Sequence, residues 1–332
     1  MRFREVDPVR DWPTLGWVST ESPFTARSVL LAVCAVVLVG VAGPVVVRVT
    51  GLDAGSVFAL VVVGVPYAVV VTVVVGVVTV VAKARWLTVF ALGLLVVQVV
   101  VLVPRFTADG AAIPDGAARL RVATINSHVG NVDAKALVDF VRSERIDVLA
   151  VEELAPQAIP GLDAAGLREV MPYRELRPKD DSSLYSRFPF TSSGPLPAPT
   201  TWPQTTATLT VAGRAVEVVA VHTYYPAGDP DRWTRDMVAL KAVAHENSVL
   251  LGDFNATLDH APMRDLLSAG LVDSHTELGR GWAPTWPADR ALPPLVQLDH
   301  VLHGHGFAAV AVGERTLPGS DHRLVFAELA LV

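Results

Sequence analysis

The chain divides by its pattern of apolar and polar positions. Three stretches near its start contain no charged side chain. Ser28–Val47 is bounded by Arg27 and Arg48, Ser56–Ala82 by Asp53 and Lys83, and Trp86–Val103 by Arg85 and Pro104. A helix needs ~20 apolar residues to cross the hydrocarbon core, so the pattern predicts three transmembrane helices, at 28–47, 56–82 and 86–103. A cleaved signal peptide does not fit, because the first run starts late and two more follow it. With no charged residue inside any span, the pattern argues against a channel or transporter.

Beyond residue 104 the periodicity changes. Residues 105–118, with Gly110, Pro114 and Gly116, read as a linker. Leu120–Asn126 alternates and is β-branched, the signature of a strand. Asp133 is placed to cap a helix bearing Leu137, Phe140 and Val141, and Asp147–Val151 is a short buried strand. Thr206–Val211 and Arg214–Val221 flank Ala212-Gly213 as a hairpin. Asp229-Pro230 opens a helix with Trp233, Met237, Leu240 and Ala244 on one face. Ser248–Leu251, Leu298–Leu302, Ala308–Val312 and Leu324–Leu329 complete the strands. Strands outnumber helices, which predicts an α/β fold of two packed sheets with helices outside, covering 119–332.

Composition adds orientation and origin. Arg (23) far outnumbers Lys (4), a bias typical of bacteria with GC-rich genomes, and the one cysteine, Cys34, rules out an intramolecular disulfide. Arg2, Arg4, Arg10 and Arg27 precede the first span, and Lys83 and Arg85 lie between the second and third. Positive-inside logic therefore puts residues 1–27 and the second loop in the cytoplasm. Three crossings then leave the C-terminal domain on the outer face of a multi-pass bacterial membrane protein. From Arg105 onward there are 20 Lys+Arg against 28 Asp+Glu. An acidic domain without a basic run is poorly suited to duplex DNA.

Polar residues follow or precede the apolar strands at six places: Asn126; Glu153 in Val151-Glu-Glu-Leu154; His222 in Val218-Val-Ala-Val-His222; Asp253 and Asn255 in Gly252-Asp-Phe-Asn255; Asp299 in Gln297-Leu-Asp-His300; and Asp321 and His322 in Gly319-Ser-Asp-His322. Singly each has a bland reading. A Glu after a strand is usually solvated, Gly-Asp-Phe-Asn is a good turn, and His222 fits a satisfied core histidine. Together they suit one chemistry. Mg²⁺ takes oxygen ligands, commonly one or two carboxylates plus water and phosphate, and Glu153 with Asn126 supplies them. His322 beside Asp299 stays protonated and stabilises developing charge. Asp253 is then the general base for attack on phosphorus.

These blocks, in this order from Arg119 to the C-terminus, resemble the endonuclease/exonuclease/phosphatase superfamily. The resemblance implies a four-layered, deoxyribonuclease I-like α/β sandwich. It also implies Mg²⁺ (or Mn²⁺) at Glu153 with Asn126 nearby, phosphate contacts from His222 and Asn255, a water-activating Asp253, an Asp299–His322 pair, and Asp321 as a further carboxylate near the metal. Two blocks depart from the family. Glu152 stands where a Gln is usual, and alternation lets only one of Glu152 and Glu153 face the site. Asp180–Arg187 lacks the usual glycines, so no substrate contact is assigned there. His128 stands where some family nucleases place a second metal-site carboxylate.

Three helices followed by such a domain also resemble the VanJ-type membrane proteins linked to teicoplanin resistance. That implies hydrolysis of a lipid-linked pyrophosphate such as undecaprenyl pyrophosphate in the cell envelope. Trp202, Tyr224, Tyr225, Trp282 and Trp286 lie in predicted loops, where lipid or headgroup contact competes with plain packing. Two alternatives are a membrane-tethered nuclease or phosphodiesterase acting on nucleic acid or phospholipid headgroups, and an inactive binding domain. The intact motifs speak against the last.

Overall fold

The computed structural model describes residues 25–109 and 112–332, so the basic N-terminal segment lies almost wholly outside the described residues. Four helices come first: α1 (Ala26–Thr50), α2 (Ala59–Val62), α3 (Val65–Val81) and α4 (Arg85–Leu102), which runs on into a 3-10 turn at Val103–Phe106. Thr25 caps α1 by accepting from Ser28 N, and Gly51 ends it in the left-handed conformation. Val47, Val65 and Leu102 cluster at one end of the group, and Arg27 meets the Ala82 carbonyl at the other. The long helices α1, α3 and α4 therefore alternate in direction.

Here the expected 56–82 span needs correction. Residues 51–58 are turns, and Gly64 separates α2 from α3. Pro66 sits in the first turn of α3, where its missing N–H breaks no helical bond, so the helix restarts rather than running through. Two helical stretches, Ala26–Thr50 and Arg85–Phe106, are long and apolar enough to cross a membrane, while the 17 residues of α3 are a shorter apolar helix. The front of the expected span belongs elsewhere: Ala59 is fully buried in a core of the C-terminal domain, and its carbonyl accepts from His260 Nε2 at 2.9 Å.

The C-terminal domain begins with β1 (Arg119–Asn126), α5 (Ala134–Ser143) and β2 (Val148–Glu152), followed by the short helices α6 (Ile159–Ala164) and α7 (Leu167–Val170). Next come β3 (Tyr173–Glu175), β4 (Ser182–Ser186), β5 (Phe190–Pro195), β6 (Thr205–Val211) and β7 (Arg214–His222). The chain continues through α8 (Pro230–Ala239), β8 (Ser248–Asp253), α9 (Ala261–Leu267), β9 (Leu271–Asp273), α10 (Ser274–Glu277), β10 (Asp299–Gly304), β11 (Phe307–Thr316) and β12 (Arg323–Leu331). They form two six-stranded sheets, β11-β12-β1-β2-β4-β3 and β5-β6-β7-β8-β10-β9.

The local signals operate as the residues dictate. Asp133 accepts from Ala136 N at 2.7 Å and Asp229 from Arg232 N at 3.0 Å, each satisfying a free helix donor. Ala212 and Gly213 both take positive φ, the geometry of a two-residue hairpin turn. Alternate residues of the two sheets, among them Val122, Ala150, Val218 and Leu251, interdigitate in the central core. The opposite faces pack under helices, α5 to α7 on the first sheet and α8 and α9 on the second. The result is the expected α/β sandwich, helix–sheet–sheet–helix.

Polar contacts lock the helical part to this domain. Asp259 accepts from Arg48 Nε at 2.7 Å and from both terminal nitrogens of Arg105, at 2.8 and 3.1 Å. Ala261 N donates to Asp53 at 2.6 Å, Gly55 N to Thr234 Oγ1 at 2.8 Å, and Tyr67 Oη to the Leu295 carbonyl at 2.6 Å. The start of the expected 105–118 linker is thus pinned, with Arg105 buried.

Candidate active site

Strand direction explains why the polar residues meet. β1 runs parallel to β2, and β7 parallel to β8, so Asn126 and Glu152 end side by side, as do His222 and Asp253. β10 runs antiparallel to β8, with Asp299 opposite Asp253, and β12 runs antiparallel to β1. Their N-terminal ends therefore share the rim with the C-terminal ends of the other four strands. Two glycines make this possible. A Cβ on Gly252 would collide with the Val221 carbonyl, and one on Gly319 with that of Asn131.

A cavity of about 610 Å³ opens at this rim, lined by Asn126, Glu153, Asp181, His222, Asp253, Asn255, Asp321 and His322 among others. Asp299 lies behind them. All residues expected at the site are thus brought together. Asn126 Nδ2 donates to Glu153 Oε1 at 3.0 Å and lies 3.2 Å from Asp253 Oδ2. Glu153, at positive φ just past β2, also accepts from Val129 N at 2.9 Å. Asp253 accepts from Asn255 N at 2.8 Å, and Asn255 Nδ2 is tied to the Thr223 carbonyl. Asp321 accepts from Trp286 Nε1 at 3.3 Å, and His128 Nδ1 stands 3.8 Å away from it.

Two imidazoles flank Asp253: Nε2 of His322 and of His222 lie 3.7 and 3.8 Å from its Oδ2. On the far side His322 Nδ1 donates to Asp299 at 2.8 Å, and His222 Nδ1 makes an ionic contact with Asp181 at 3.0 Å. Burial opposes charge on both rings, but the carboxylates outweigh it. Asp299 and Asp253 push His322 up to about 10, and Asp181 and Asp253 push His222 up to about 9. Both are cations at neutral pH. Burial raises Asp253 above the usual carboxylate range, against the pull of the two histidines.

Glu152 and Glu153 separate completely. Glu152 is 0 % exposed, and both its oxygens lie 2.9 Å from the Thr124 hydroxyl; burial, with Asp299 and Asp253 nearby, raises it well above the usual range. Glu153 faces the cavity, as alternation requires.

The donor set fits a hard divalent cation. Glu153, Asp181, Asp253 and Asp321 converge with two amides, and no Lys or Arg lines the cavity among the described residues. Asp253, Asp299 and His322 also present ligand atoms within 4.8 Å of one another. That trio is already an ion-pair network around a protonated imidazole, which cannot ligate through its donated nitrogen. The carboxylate side, Glu153 with Asn126 and Asp321, is the better cradle.

Sequence reasoning missed several lining residues. Asp181 sits at positive φ before β4, in the segment whose motif was unreadable. Leu60 and Val63 come from the expected membrane span. Of the loop aromatics, Trp202, Tyr225 and Trp286 line the cavity, whereas Tyr224 stacks on Tyr225 at 4.7 Å and Trp282 lies apart.

A two-sheet α/β sandwich with carboxylates, amides and charged histidines gathered at one rim defines a class of phosphoester hydrolases. The chain belongs to the endonuclease/exonuclease/phosphatase family, whose sequence profile matches residues 123–322 and so spans every candidate residue. Members of this family hydrolyse phosphoesters and generally use a divalent metal. Solved structures share the fold at low identity. A family protein from Bacteroides thetaiotaomicron is 15 % identical, with a TM-score of 0.54 over 65 % of this chain and 99 % of its own. D. rerio TDP2, complexed with a single-strand DNA product, is 18 % identical (TM-score 0.52; 64 % and 98 %). The mannosyl-6-phosphatase of Bacteroides thetaiotaomicron is 15 % identical (TM-score 0.50; 64 % and 100 %). A search of curated proteins finds no match.

Proposed function

We propose that this phosphoesterase is a membrane-anchored, Mg²⁺-dependent (or Mn²⁺-dependent) phosphatase of lipid-linked phosphate or pyrophosphate, of the undecaprenyl pyrophosphate kind. One observation carries the reading. Leu60, in the short apolar helix α2, and Val63, just before the break that precedes α3, form part of the wall of the same cavity that holds Glu153, Asp253 and His322. A site for a soluble phosphoester has no need of a wall from the apolar helices. A headgroup still attached to its lipid does.

Exposed valines and leucines along α1, α3 and α4 favour a bilayer as their solvent, since so large an apolar surface is rare on soluble proteins. Loop charge then favours the outer face. Arg48 and Arg105, which blur the positive-inside signal, are both engaged by Asp259 rather than left as free loop charge. Such a protein would act in cell-envelope metabolism, where release of lipid carrier bears on glycopeptide resistance.

In this reading Glu153, Asn126 and Asp321 hold the cation, which when bound neutralises phosphoryl charge. Asp253 takes the proton of a water whose oxygen attacks the terminal phosphorus, and the bond to the bridging oxygen breaks, leaving phosphate and lipid monophosphate. Protonated His322, fixed by Asp299, stabilises the charge that develops. His222 and Asn255 hold phosphoryl oxygens. The absence of Lys and Arg from the lining among the described residues weighs against a nucleic-acid backbone. Incubating the full-length protein and Mg²⁺ with undecaprenyl pyrophosphate, plasmid DNA and phospholipid vesicles tests this. Phosphate release from the first alone is expected; nicked plasmid alone would refute it.

A further inference from the structure

A second cavity, about 420 Å³, lies between α3 and α4 at their C-terminal-domain end. Its lining is mostly apolar, including Val70, Val99, Leu102 and Phe106, with Gln98 and Arg105 as its polar members, and Trp282 of the C-terminal domain forms one side. A narrow void of about 30 Å³ lies between the two cavities and shares walls with both. It shares Val63 and Val296 with the catalytic cavity, and Pro66, Arg105, Gly281 and Trp282 with the groove. The helix break at Gly64 sits at this junction. Tyr67 stands beside it, its hydroxyl on the Leu295 carbonyl at 2.6 Å and its ring edge-on to Trp282 at 5.5 Å.

We infer that this groove is the binding site for the hydrocarbon chain of the substrate, adjoining the headgroup across the α2–α3 break. The inference rests on the phosphatase reading above and adds where the chain lies. Other hollows on the helices, such as that lined by Thr72, Val80 and Leu92, are made by helices alone and hold nothing from the C-terminal domain. This groove differs in two ways: only a thin void walled by residues of both separates it from the cavity where the phosphate is held, and the catalytic domain builds one of its sides. A polar head bound among carboxylates and histidines and an apolar tail bound beside Trp282 require one amphipathic ligand whose phosphate and chain are covalently joined. Tyr67 lines the groove where it meets the void, held by Leu295 and Trp282.

Two measurements on the full-length protein in nanodiscs test this. In the first, a long-chain isoprenyl pyrophosphate with a mid-chain diazirine is photolysed with the protein, and labelled peptides are mapped. Label concentrated around Pro66–Val70 and Gln98–Val103 is expected. Label spread evenly over the exposed faces of α1, α3 and α4 would overturn the groove. In the second, KM is compared for long-chain and short, water-soluble isoprenyl pyrophosphates. Val70→Trp, which fills the groove, raises the long-to-short KM ratio about tenfold, equivalent to withdrawing about two methylene groups from an apolar site. Val99→Trp serves if that variant fails to fold, and Val89→Trp, near the opposite end of α4, leaves the ratio unchanged. Normal hydrolysis of the long-chain substrate with unchanged ratios in Val70→Trp and Val99→Trp removes the groove and leaves the phosphatase reading standing. No phosphate release from either lipid removes both.

Discussion

Adjacent residues at the end of β2 meet opposite fates, and that contrast makes the metal assignment testable. Glu152 turns inward to Thr124, and Glu153 turns to the cavity on a left-handed backbone. Glu152→Gln preserves size and the Thr124 hydrogen bond, so turnover is expected within about twofold of wild type. Glu153→Gln raises the Mg²⁺ concentration for half-maximal rate by about tenfold or more. Titrating rate against Mg²⁺ for both variants checks this, and the reverse pattern would exchange their roles. Asp253→Asn keeps the Asn255 contact but removes the base, so kcat falls by about 10³-fold; stopped assays of phosphate release measure it. These residues were legible from sequence because chemistry demands unusual types at strand ends. Asp181 was not, since only the fold brings it beneath His222. Nothing in Asp180-Asp-Ser-Ser distinguishes a site carboxylate from a turn.

At the scale of elements, patterned strands and capped helices were readable wherever alternation or a cap aspartate marked them. β4 was not. All five of its residues are buried, yet three are serine, and their hydroxyls are satisfied by partners that sequence does not reveal. The 56–82 run misled for a related reason. Apolar character was equally consistent with membrane and with a protein core, and Ala59 took the second option.

The joint between helices and catalytic domain centres on Asp259, 1 % exposed between two arginines. Asp259→Ala leaves both guanidinium groups without their partner, a loss of about 3 to 5 kcal/mol. A lower Tm and faster proteolysis between residues 105 and 118 are expected, whereas wild-type resistance would deny the joint its role. Asp273 offers a pH signature of its own. Burial opposes its charge, but His300 and the Thr276 N–H hold it down to about 2. A folded value below the ordinary 3.8 stabilises the fold above about pH 4, and this contribution disappears as pH falls through 2. The Tm difference between wild type and Asp273→Asn should therefore shrink between pH 4 and 2. A constant difference would contradict the assignment.

For the whole molecule, the apolar N-terminal part and the catalytic rim share a cavity wall, through Leu60 and Val63. Sequence pattern alone suggests an anchor and an enzyme joined by a linker; the structure pins the start of that linker and places Leu60 in the active-site wall. If the outer-face topology holds, protease added to intact cells removes the C-terminal domain, and its survival would reverse the orientation. The most direct test of the account compares kcat/KM for undecaprenyl pyrophosphate with that for a water-soluble pyrophosphate ester, using full-length protein and Mg²⁺ in nanodiscs. Binding of the chain beside the helices predicts a preference for the lipid of about 100-fold or more. Equal values, or activity on the soluble ester alone, would contradict it.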